Sequence, residues 1–69
     1  MKEVATLNFI DSDSRDEALI IIRATRDLIA ICFSLKEDGD AELVLSSEEW
    51  RTFLVQFERA LAIAEATDN

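Results

Sequence analysis

Histidine, tyrosine and proline are missing from this sequence altogether, and glycine, cysteine and tryptophan occur once each. Each absence removes a class of chemistry. Without histidine there is no side chain whose ordinary pKa lies near neutral pH and no imidazole to bind a metal. A single cysteine, Cys32, cannot close a disulfide within the chain or complete a thiolate metal site. One glycine cannot build the phosphate-cradling loops of nucleotide enzymes. Cys32 has no histidine to activate it and reads as a packed thiol. The expectation is therefore a protein that is not an enzyme, with no cofactor and no resident metal.

Basic residues are also scarce: seven lysines and arginines face fifteen aspartates and glutamates, a formal net charge of -8. Such a balance repels polyanions and argues against nucleic acid as a partner. The start of the chain, MKEVATLNFIDSD, carries no apolar core of a secretory signal. No apolar run is long enough to span a membrane, because RATRD interrupts the greasiest segment with three charges. A cytoplasmic protein with a reduced thiol, away from the membrane, is expected.

What is present is apolar surface in quantity. The segment ALIIIRATRDLIAICFSL, Ala18 to Leu35, holds thirteen apolar residues in eighteen positions. Two readings fit it. One is a single long helix, with Ser14 and Glu17 as a capping box and Arg23, Arg26, Asp27, Ser34 and Glu37 on one face. The other is two strands turning at Arg26-Asp27. Five isoleucines and a threonine favour the strands, since β-branched side chains are stiff at χ1 and suit a pleated surface. VATLNFI before it alternates in the strand period, DSDSRD reads as a polar loop, and SLKEDGDAELVL as a hairpin around Asp38-Gly39.

LSSEEW then opens a helix. Ser46 is the N-cap, Glu49 closes a capping box, Leu45 can staple to Trp50, and Glu48 and Glu49 suit the positive end of the helix dipole. Trp50, Phe53, Leu54, Phe57, Leu61 and Ala64 follow at three- and four-residue steps as one apolar stripe. The fold class expected is α+β. Residues 1–69 form one ββββα domain: a four-stranded antiparallel meander (strands about 4–10, 17–25, 28–35 and 41–45) with one C-terminal amphipathic helix, about 47–66, packed on one face.

Pairing outward from loops at 11–16, 26–27 and 36–40 gives one uncharged face: Ala5, Leu7, Phe9, Ala18, Ile20, Ile22, Ile29, Ile31, Phe33, Leu35, Leu43 and Leu45. A slip of one residue would destroy this agreement. That face is assigned to the helix. The opposite face carries Val4, Thr6, Asn8, Thr25, Leu28, Ser34 and Glu42 around a patch of Leu19, Ile21, Arg23, Ala30, Cys32 and Val44, which has a polar rim. Its exposed area, on the order of a few hundred Å², is where a patch begins to suggest a partner. A domain this small also gains by association what its own core cannot supply. These six residues are the candidate interaction face, with a homodimer as the first expectation and a strand edge as another route. The acidic surface adds a possible basic protein partner, captured as inhibitors and immunity proteins capture theirs.

Two acidic loops resemble cation sites only at first sight. DSDSRD places Asp11 and Asp13 at alternate positions, as in a calcium loop. The sixth position is then Asp16 instead of glycine, and the twelfth is Ile22 instead of glutamate. Glu37, Asp38, Asp40 and Glu42 do not converge.

The order of four strands and a helix, ending in AELVLSSEEWRTFLVQFERAL, resembles the half-module of PUR-repeat and Whirly-like single-strand-binding proteins. The resemblance is topological and matches no family motif. It implies a curved sheet backed by a helix, paired modules, and a free sheet face that binds single-stranded DNA or RNA. Such binding needs basic and exposed aromatic residues. The free face expected here has Arg23 and no aromatic, because Phe9 and Phe33 fall on the helix side.

Overall fold

Strict alternation and β-branched content make strands of the first 46 residues, and the capping box starts a helix immediately after them. A computed structural model describes residues 1–66 in this form. The elements are β1 (Lys2–Ile10), β2 (Glu17–Thr25), β3 (Leu28–Leu35), β4 (Gly39–Ser46) and α1 (Ser47–Ala66). The strands form one antiparallel sheet in the order β1-β2-β3-β4, so the fold is α+β as the pattern predicts. Of the 1–69 domain expected, residues 67–69 lie outside the described residues.

The register follows from the turns. Phe9 faces Ala18 and Leu7 faces Ile20 across β1 and β2, and Ile22 faces Ile31 and Ile20 faces Phe33 across β2 and β3. A two-residue turn, Arg26-Asp27, joins β2 to β3, with Asp27 in the left-handed region at φ 65°. Aspartate tolerates that region better than most residues.

The third hairpin departs from expectation by two residues. Leu35 pairs with Gly39 and Phe33 with Ala41, where the longer loop would have set Leu35 against Ala41. Gly39 takes a positive φ, 86°, so the turn closes after residues 36–38; β3 still ends at Leu35 and β4 begins two positions early, at Gly39. A shift of two preserves the faces, which is why the hydrophobic pattern could not detect it.

β1 also begins earlier than expected and carries an irregularity. Glu3 pairs with Arg23 and Ala5 with Ile22, leaving Val4 as the extra residue of a bulge. Glu3, rather than Val4, therefore stands opposite Arg23. The β1–β2 loop is held by Asp11, whose Oδ1 accepts the N–H groups of Asp13 (2.8 Å) and Ser14 (3.0 Å). The Asp11 amide closes the loop on the Asp16 carbonyl at 2.9 Å.

The largest departure concerns the helix. It was expected to pack along the uncharged face, and only its root does so. Ser46 is both the last residue of β4 and the N-cap of α1, so no linking residue separates the two. Among the described residues only Ala30, at 1% exposure, and Trp50, at 7%, are buried. Every residue from Arg51 to Ala66 is exposed. The chain accordingly extends over 43 × 30 × 16 Å with a radius of gyration of 13.9 Å, where a compact chain of this length has about 11 Å.

Candidate association surfaces

The second sheet face collects the six candidate residues, because alternation and register put them there. Arg23 pairs with Ala30 and Ala30 with Val44, Ile21 pairs with Cys32, and Leu19 lies one row away opposite Ser34. Ala30 forms the floor. Leu19, Ile21, Arg23 and Cys32 are half-buried, while Val44 is exposed. Polar contacts close much of the rim. Arg23 Nη1 lies 3.4 Å from Glu42 Oε2, Ser34 Oγ donates to Asp40 Oδ1 at 2.6 Å, and Thr6 Oγ1 donates to Glu3 Oε2 at 2.7 Å. The patch is contiguous, but its ion pair crosses it diagonally and its apolar members are already partly shielded by their neighbours.

The first face is barer. Without a helix over it, Leu7, Phe9, Phe33 and Leu43 stand between 41% and 53% exposed, and Ile20, Ile22 and Ile31 are only partly covered. Phe9 and Phe33, expected beneath the helix, are thus open to a partner. The helix stripe matches this condition: Phe53, Leu54, Phe57 and Leu61 are 44% to 51% exposed. Phe53 packs edge-on against Trp50 at 5.5 Å between ring centroids and stacks with Phe57 at 5.7 Å, so the rings order one another along the helix.

The helix root is fixed where the rest of the helix is bare. Glu49 Oε1 accepts from the Ser46 amide (2.9 Å) and hydroxyl (3.0 Å), and Ser46 Oγ accepts from the Glu49 amide (3.1 Å). These bonds, the backbone one first, hold the Glu49 carboxyl below its ordinary pKa. The Ser47 amide donates to the Asp27 carbonyl at 3.0 Å, and Trp50 Nε1 donates to the Ile29 carbonyl at 2.8 Å. An apolar cleft of about 200 Å³ remains between Ile22, Ile29 and Ile31 of the sheet and Trp50, Phe53 and Leu54 of the helix. It marks where the two surfaces begin to diverge.

Among the described residues no three histidine, cysteine, aspartate or glutamate side chains group as a metal site requires. Asp11 turns its carboxylate onto its own loop, and the amides of Ser14 and then Asp13 hold its pKa below the ordinary value. No helix among the described residues is long and apolar enough to cross a membrane.

Compared with known proteins, the chain matches no family model, no curated protein and no solved structure. The likeness to PUR-repeat and Whirly-like half-modules therefore rests on element order alone.

The alternation and the helical spacing carry both faces and the stripe, but not that the stripe leaves the first face beyond the helix root. The signal was present in LSSEEW. A strand that runs into an N-cap with no glycine, asparagine or spare residue between them leaves no slack for a reversal of direction.

Proposed function

We propose that this chain is a non-enzymatic protein–protein interaction module that self-associates as a homodimer. What carries the reading is the uncovered apolar surface: with two buried residues among those described, both the first sheet face and the helix stripe are left to water. Small domains bury barely enough to fold even when their cores close. Association supplies the missing burial at roughly 25 cal/mol per Å² of apolar surface. The second face, with Leu19, Ile21, Arg23, Ala30, Cys32 and Val44, is then the surface that stays available for a further contact. With a net charge of -8 on the chain, a basic protein held as inhibitors hold their targets is the partner this reading favours. The cytoplasm is the compartment that keeps Cys32 a thiol.

Molar mass by light scattering across a hundredfold concentration range tests the reading. Twice the chain mass of 7.8 kDa supports it, and the single-chain mass throughout overturns it.

A single-stranded nucleic acid is the second reading, and one observation favours it. Phe9 and Phe33 are half exposed on one sheet face, as base stacking requires. The acidic charge opposes it. Capture from a lysate with and without nuclease separates the two, since only a nucleic-acid partner disappears on digestion.

A further inference from the structure

We infer that two copies of this chain exchange helices, the apolar stripe of each α1 lying across the first sheet face of the other. This rests on the self-association reading and names its geometry.

The helix cannot serve its own sheet. β4 passes into α1 without a linking residue, and three separate ties hold the exit: the Ser46–Glu49 box, the Ser47 amide on Asp27, and Trp50 Nε1 on Ile29. Laying the helix back along the first face would break the last two and bend the first. Its stripe is therefore available only to another molecule.

A second copy fits better than any single-surfaced partner. The stripe of Phe53, Leu54, Phe57 and Leu61 and the face of Leu7, Phe9, Phe33 and Leu43 are complementary kinds of surface on one chain. A two-fold axis satisfies both at once, because each chain gives a helix and receives one. A different protein that covered one would leave the other bare.

The dimensions agree. A twenty-residue helix is about 30 Å long, and nine-residue strands such as β1 and β2 are likewise about 30 Å. The eight exposed side chains named above present on the order of 100 Å² each. Covering them removes roughly 800 Å² per chain, the size of a standard stable interface. Charge raises no objection at the contact. The first face is uncharged from Ala5 onward, while Arg51, Glu58 and Arg59 lie off the stripe. The acidic groups remain outside, where salt screens them.

The test is complementation between two defective chains. Phe33→Asp spoils the sheet and leaves the helix intact; Phe57→Asp spoils the helix and leaves the sheet intact. The two variants carry tags of different mass and are refolded separately and together, then read by light scattering. Wild type is expected at twice 7.8 kDa, and each variant alone at the single-chain mass. The equimolar mixture is expected to regain a species with one chain of each, because one sound helix then meets one sound sheet. Association in the mixture should be at least about tenfold tighter than in either variant alone. The rescue is legible even if each variant alone is unfolded, since the mixture restores the contact that folds both.

A wild-type dimer whose variants never rescue one another overturns the exchange while leaving self-association standing. A wild-type monomer overturns both. Ile21→Asp on the opposite face is expected to keep the two-chain mass; if it abolishes the dimer, the interface lies on the second face and the exchange is wrong.

Discussion

The first turn of α1 and the four turns after it have similar amphipathic sequences and opposite circumstances. At the root, Trp50 is 7% exposed and its indole N–H is satisfied by the Ile29 carbonyl. Two turns later Phe57 is 48% exposed and stacks with Phe53. An apolar stripe therefore says that a helix will be covered, and not by which chain. What the root settles is direction: once Ser46, Ser47 and Trp50 are tied to the sheet, the rest of the helix has one line to follow.

The sharpest way to break this comparison is to truncate a ring at each end. Trp50→Ala removes a buried side chain and leaves the Ile29 carbonyl without its donor, for a loss of about 3–5 kcal/mol. Urea unfolding should show that loss at every protein concentration. Phe57→Ala should behave differently. In a lone chain it changes stability by less than about 0.5 kcal/mol, as surface substitutions do. In an associated protein its effect is largest at high concentration, where the dimer adds stability by mass action, and shrinks to the lone-chain value as dilution dissociates it. If both variants lose the same amount independently of concentration, the stripe is covered within one chain and the distinction between root and shaft collapses.

Ser46→Ala attacks the root more gently. It removes the acceptor of the Glu49 amide and one donor to the Glu49 carboxylate, which for an N-cap amounts to about 1 kcal/mol. The helix should persist by circular dichroism while the unfolding midpoint falls. A fall as large as that of Trp50→Ala would show that the cap, and not the indole, is the main tie.

Gly39→Ala tests a site far from the root. An added Cβ meets nothing within 4 Å, so only the backbone conformation at φ 86° resists it, at about 1 kcal/mol. That loss should appear in the sheet alone and leave the mass in solution unchanged.

Local signals make most of this architecture legible in the sequence. Alternation placed β1 to β4, the isoleucines decided strand over helix for Ala18 to Leu35, and Ser46 with Glu49 marked the helix start to the residue. Each is a short-range rule in which one residue type forces one backbone state. The third hairpin was misplaced by two because Asp38-Gly39 admits more than one turn, and a two-residue shift keeps every side chain on its face. The bulge at Val4 left no mark, since an extra residue near a strand end disturbs little of the alternation. The helix was assigned to its own sheet because amphipathic patterns report burial without reporting the partner. The register sets the six residues of the second face side by side, because alternation and hairpin pairing are local rules. The greater exposure of the first face depended on the helix direction, which only Trp50, Asp27 and Ile29 together determine.

The smallest effect separates the two carboxylates whose pKa values are held low. Asp11, in the β1–β2 loop, is stabilised as an anion by the amides of Ser14 and Asp13, and Glu49, at the helix root, by the Ser46 amide and hydroxyl. Both bind a proton less readily folded than unfolded. Each therefore adds stability that is complete above the ordinary carboxylate pKa and is lost as pH falls through its lower folded value. Acid also discharges the exterior, which by itself favours association of a chain with a net charge of -8. Asp11→Asn and Glu49→Gln each remove one negative charge, so they share that second effect and differ only in place. Glutamine keeps the capping box without its titration. If the fixed helix root presents the stripe to a partner, Glu49→Gln should flatten the loss of dimer between pH 5 and pH 3, a window set by the lowered carboxylate pKa, and Asp11→Asn should leave it as in the wild type. Sedimentation at matched ionic strength reads the difference, and equal flattening by both variants would show that charge alone, and not the helix root, governs association in acid.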